Sequence, residues 1–219
     1  MEISYWKLEI MLFSLLAFAV SAGALFFSSQ AVIFRLYRLT HSLNLIFFLL
    51  LPGIFLHEFS HILTAEILRV PTGELKLKPE IKEGGLSLGS AQIGATDPFR
   101  LTLIGLAPFI SGLTVLWLLI KFNPGGWWQI LFGYLAFTIA NTLFSSPSDL
   151  QAAAVPIVLV LILFGVFQMA HLFLPPTLVP ALSVFFLSLV KIFCLALALN
   201  LLLLLPLKVY HLKAGRPNF

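Results

Sequence analysis

The sequence predicts an all-α polytopic membrane protein with about six transmembrane helices and one small β segment. Three observations carry this. The chain of 219 residues is 60% hydrophobic and 10% charged, where a soluble domain carries roughly 25% charged residues. Its apolar runs reach the ~20 residues a helix needs to cross a hydrocarbon core, too long for barrel strands. One interval, residues 72–96, breaks the apolar pattern and alternates with strand period. The net charge of +4 is dispersed along the chain. The basic residues therefore read as membrane-flanking charges, and nucleic acid is not an expected partner. A single cysteine, Cys194, excludes an intrachain disulfide framework and a cysteine-ligated zinc cluster.

The first span is expected over residues 7–33. Ala19–Ala24 has the small residues of a cleavage region, but the apolar run exceeds a signal-peptide core, so a retained helix is expected. Arg35, Arg38 and His41 form a polar connection. The second span covers 42–68, with Pro52-Gly53 inside it and Arg69 and Pro71 closing it. In 72–96, Leu75 and Leu77 alternate with Glu74, Lys76 and Lys78, and Gly84-Gly85 is a turn signal. A small antiparallel hairpin or sheet at the membrane surface is expected. Asp97-Pro98 reads as N-cap and first residue of a third span, 98–121. Asn123-Pro124-Gly125-Gly126 is a turn. The fourth span, 127–145, opens with interfacial Trp127 and Trp128 and ends before Pro147. Spans five and six are expected at 150–174 and 181–205. The whole of 1–219 reads as one transmembrane domain.

Six spans put both termini on one side. That side holds Lys7, Arg69, Lys76, Lys78, Lys82, Arg100, Lys208, Lys213 and Arg216, against Arg35, Arg38 and Lys121 on the other. The positive-inside rule makes the first side cytoplasmic. Lys191 stands alone as a charge deep in a span.

The chain is organised around Leu51–Leu68, LPGIFLHEFSHILTAEIL. His57, Glu58 and His61 form an HExxH pattern inside this apolar helix. Ionisable groups at membrane depth cost several kcal/mol each unless partnered or hydrated. Histidines at i and i+4 share one helical face, roughly 6 Å apart, which suits two ligands of one zinc. Glu58 is placed to take a proton from a water at the metal. A catalytic zinc takes a third protein ligand. Beyond Asp97 the chain has one carboxylate, Asp149, after a proline break. Asp149 reads either as the N-cap of span five or as the third ligand. Its depth, on the side where the second span ends, favours the ligand. His41, His171 and His211 are poorly placed to share the site.

These residues resemble the site-2 protease family of intramembrane zinc metalloproteases. The resemblance covers about residues 42–170. It is carried by HEFSH in a transmembrane helix, the Gly-rich strand segment after it, Gly105–Phe109 (GLAPF) and Asn141–Asp149 (NTLFSSPSD). In the last segment Phe144 and Leu150 stand where the family has proline and glycine. The resemblance implies that His57, His61 and Asp149 bind one zinc ion per chain. It implies that Glu58 is the general base and that Asn141 holds an extended substrate backbone. It also implies hydrolysis of a peptide bond in or beside a transmembrane helix of a membrane-protein substrate. The expected localisation is integral to the membrane and multi-pass. The competing readings are a proteolytically inactive zinc-binding scaffold and a metal-ion permease. Retained Glu58 argues against the first, and the scarcity of other intramembrane acidic or histidine positions argues against the second.

Overall fold

The computed structural model describes residues 5–82, 85–144, 162 and 178–213. Five helices organise them: α1 (Tyr5–Thr40), α2 (Leu43–Ile67), α3 (Pro98–Lys121), α4 (Trp128–Thr142) and α5 (Leu178–Lys213). Between α2 and α3 lie β1 (Thr72–Lys76), β2 (Glu80–Lys82), β3 (Gly85–Ser87) and β4 (Ser90–Ile93). β1 pairs with β4 and β2 with β3, both antiparallel, so the segment is one long hairpin interrupted midway. Among the described residues, four helical stretches are long and apolar enough to cross a membrane: Glu9–Thr40, Leu43–Ile67, Pro98–Lys121 and Leu178–Leu205.

Local chemistry sets the ends. His41 turns back with φ 51°, and the Ser42 side chain caps α2 by accepting from the Leu45 N–H. Arg69 adopts φ 56° after α2, and the Val70 N–H bonds back to the Ala65 carbonyl. Asp97 caps α3, accepting from the Arg100 N–H at 3.1 Å. That bond, with the Arg100 guanidinium beside it, holds the Asp97 carboxyl below its ordinary range. Gly125 and Gly126, at φ 77° and 60°, make the reversal into α4, where only glycine carries no steric penalty.

The core lies where α1, α3, α4 and α5 meet. Phe18, Leu25, Phe109, Leu116, Phe144, Leu189 and Phe193 are its larger members. α1 and α5 pack lengthwise and in parallel. Phe18 stands 5.5 Å from Phe193, Ser28 bonds Asn200 at 3.0 Å, and Arg35 reaches the Leu204 carbonyl at 3.3 Å. The buried residues Met11, Leu15, Phe18, Ala22, Leu25, Ser29 and Val32 recur at alternating steps of four and three. That is heptad-like spacing, the periodicity of a buried stripe along one face of a helix packed lengthwise on another.

This packing differs from what six alternating spans imply. Six alternating spans would set the first and last helices antiparallel. Parallel α1 and α5 instead put Tyr5 and Lys213 at opposite ends of the pair. Lys208 and Lys213 then belong with Arg35, Arg38 and Lys121, which weakens the charge bias that placed both termini in the cytoplasm. Hydropathy registers apolar length and not the number of crossings. Span five, 150–174, lies outside the described residues apart from Ile162. Three smaller differences follow from packing. α1 continues through Arg35 and Arg38 to Thr40. α4 has 15 residues, about 22 Å at 1.5 Å per residue, shorter than a hydrocarbon core of about 30 Å. Lys191 is exposed and not turned into the bundle.

α4 runs beside α2 in the same direction. Tyr134 donates to the Leu49 carbonyl at 3.0 Å, in the turn that Pro52 loosens. Further along, a β-carbon on Gly53 would overlap the Thr138 carbonyl and the Thr142 hydroxyl. Glycine is therefore the condition for the α2–α4 contact, as small residues are in membrane helix pairs generally. Gly53→Val should destabilise the protein by about 1–3 kcal/mol or more, read as a lower unfolding midpoint in detergent micelles.

Candidate metal centre

α2 carries the centre. It stays helical through Pro52 and places His57 and Glu58 inward, 4% and 6% exposed, with His61 half-buried. The two imidazoles lie on one face with ring centroids 5.1 Å apart and planes at 79°. This fits a shared metal ion, whose ligand nitrogens converge from different ring planes.

Three elements close around them. From α3, the Ile104 carbonyl lies 2.9 Å from His61 Nδ1. A carbonyl only accepts, so Nδ1 carries the proton and Nε2 keeps its lone pair. A ring nitrogen bonded to a carbonyl in this way is the usual outer support of a metal-bound histidine. Beside His61 on α2, and about two turns beyond Ile104 on α3, the Ser60 and Ser111 hydroxyls bond across the two helices. Ile104 also packs against Ala65 and Val70. The α2–α3 register is thus held on both sides of His61.

The hairpin supplies the second wall. Leu88 is buried against Ile33, Ile46 and Ile54. A β-carbon on the next residue, Gly89, would stand 2.9 Å from Glu58 Cγ and 3.1 Å from its Oε1. The backbone approaches the Glu58 side chain this closely because Gly89 has no side chain.

α4 supplies the third wall, and with it a small cleft lined by Ile54, His57, Glu58, Gly89, Asn141 and Thr142. Asn141 also borders a second, smaller apolar cleft between α1, α2 and α4. Asn141 is buried and heavily bonded. Its Oδ1 accepts from the Ser29 hydroxyl and from Asn200 Nδ2, both at 2.7 Å. Its Nδ2 donates to the Phe137 carbonyl at 2.9 Å. Asn141 therefore ties α1, α4 and α5 together at the edge of the cleft.

Of the expected site residues, His57, Glu58, His61 and Asn141 come together here. Asp149 lies outside the described residues. Among the described residues, no group of three or more His, Cys, Asp or Glu side chains is placed to hold a metal ion. Sequence reasoning missed Gly89, the Ile104 carbonyl, and the Ser29–Asn200 support of Asn141. It also treated Phe144 only as a departure. Phe144 is 3% exposed and packs on Phe109 of the GLAPF segment at 5.6 Å, which anchors the end of α4. The one signal for Asn200 is an amide in an otherwise apolar run.

Asn200 uses both amide hydrogens, on Ser28 and Asn141, and its buried Oδ1 has no protein partner. Asn141→Leu would leave the Asn200 amide hydrogen that points at it without an acceptor and should cost about 1–3 kcal/mol, whereas Asn200→Leu, which removes a buried orphan oxygen, should cost less. Chemical unfolding of the two variants in micelles measures the difference.

Comparison of the chain with protein-family models, with curated proteins and with solved structures finds no match.

Proposed function

We propose that the protein is an intramembrane zinc metalloprotease, hydrolysing a peptide bond within or beside a transmembrane helix of a membrane-protein substrate. The observation that carries this is a buried His57–Glu58 pair, with His61 on the same face, at the wall of a cleft inside an apolar bundle. Buried ionisable groups among apolar helices mark functional sites, because their desolvation is costly without a task.

His57 and His61 would hold one zinc ion per chain through ring nitrogens. Zinc, when bound there, supplies a Lewis acid that polarises a scissile carbonyl and lowers the pKa of water toward about 7. Asp149 is the proposed third ligand. Thr142 lines the cleft with His57, and Asp149 follows it by seven residues, a reach of at most roughly 25 Å at 3.6 Å per residue.

Glu58 takes a proton from the attacking water and delivers it to the leaving amine. Its burial beside Leu88 and Gly89 shields the carboxylate from bulk water. A helical substrate must unwind before its carbonyls are free. β1 and β4 are paired on one side only, and such an edge can hold an unwound strand by main-chain bonds. Asn141, at the wall of the cleft, is the proposed side-chain contact to that strand. The apolar exterior of the long helices faces the lipid bilayer, the protein's other partner.

Purified Glu58→Gln should keep wild-type zinc content and cleave a transmembrane substrate at least about 100-fold more slowly. Asp149→Ala should lose most of the zinc. Wild-type cleavage rates from Glu58→Gln would remove Glu58 as the base, and full zinc content in Asp149→Ala would remove it as a ligand.

A further inference from the structure

In an uninterrupted α-helix the Ile104 carbonyl would accept from the amide of residue 108, four positions on. Residue 108 is proline. It has no N–H, and its ring presses on the carbonyl four residues before it. α3 nevertheless continues through Pro108 to Lys121. The Ile104 carbonyl thus lacks its helical donor in the middle of a helix. It is also shut away from water, with Ile104 1% exposed and Pro108 buried. A carbonyl in that position needs a donor from another element. His61 Nδ1, at 2.9 Å, is that donor.

We propose that Pro108 is a positioning residue for the metal centre: it withholds the helical donor from the Ile104 carbonyl, so that this carbonyl binds His61 Nδ1–H and leaves His61 Nε2 to face a metal ion. The metal half of this statement rests on the metalloprotease reading. The tautomer half does not. Two contacts bracket the bond and make the pairing specific. The Ser60–Ser111 hydroxyl pair lies on one side, and the Ile104–Ala65–Val70 cluster on the other. Alanine at 108 would restore the N–H and remove the ring, so the Ile104 carbonyl would return to the helix ladder and its bond to His61 would weaken.

The test is nitrogen-15 NMR of the histidine-labelled, metal-free full chain in micelles, at a pH where imidazole is neutral. His61→Gln assigns the His61 signals. Wild type should carry the His61 proton on Nδ1, and Pro108→Ala should move a substantial fraction to Nε2. Zinc affinity, read by chelator competition, should fall 10- to 100-fold in Pro108→Ala, as for loss of other outer supports of metal-bound histidines. The metal-free melting temperature should hold or rise, because the helix regains a bond. A wild-type His61 with its proton on Nε2 overturns the proposal. So does Pro108→Ala with zinc affinity within twofold of wild type. Where Pro108→Ala does not fold, Pro108→Ser restores the same N–H, and the wild-type spectrum decides alone. A wild type that binds no zinc refutes the metalloprotease reading, and the tautomer still decides whether Ile104 holds His61.

Discussion

Everything at the centre of this protein depends on placing ionisable side chains in an apolar helix and meeting their demands from neighbouring elements. α2 supplies His57, Glu58 and His61 but cannot satisfy them itself, since its own backbone groups are committed to the helix. Each neighbour therefore brings backbone close. α3 brings the Ile104 carbonyl to His61, the hairpin brings Gly89 to Glu58, and α4 packs its Thr138–Thr142 turn onto Gly53. All three approaches depend on a missing group: an N–H at Pro108, and side chains at Gly89 and Gly53.

The rest of the bundle makes these approaches reproducible. α4 is short and ends beside Gly53, one turn from His57, so the chain leaves its helix at the depth of the cleft. Phe144 fixes that exit by packing on Phe109. The parallel α1–α5 pair holds α4 from behind through Ser29, Asn200 and Asn141. In a low-dielectric interior such shared hydrogen bonds are stronger than in water, and leaving one member unpaired is correspondingly costly.

The sequence made legible whatever depends on local pattern. HEFSH, the cap at Asp97, the Gly125-Gly126 reversal and the strand period of residues 72–76 all stand where they were expected, because each is decided within a few residues. The α1–α5 pairing was not legible. Its four-three spacing is present in α1, but nearly every position there is apolar, so the buried stripe barely differs in hydropathy from the face around it. Crossing number is not legible for a related reason, since an apolar run states its length and nothing about its partner. Asn141 was found through a motif, yet its bonding to Ser29 and Asn200 joins residues 112 and 59 positions apart, beyond any local signal.

Phe144, which stands where the family that the segment resembles carries proline, takes on physical meaning in this setting. Proline at position 144 would stiffen the exit from α4 by fixing φ. Phenylalanine does it by burying an aromatic ring against Phe109 and Phe26. The two devices share an outcome, a defined direction for the chain as it leaves α4, and differ in where the constraint resides: in the backbone for proline, in the α3–α4 contact for phenylalanine. The second couples the exit to α3, the helix that also holds His61. Any shift of α3 against α2 would then move the support of His61 and the anchor at the end of α4 together. The geometry of the centre is therefore a property of the α2–α3–α4 packing as a unit, and the HExxH helix alone does not contain it.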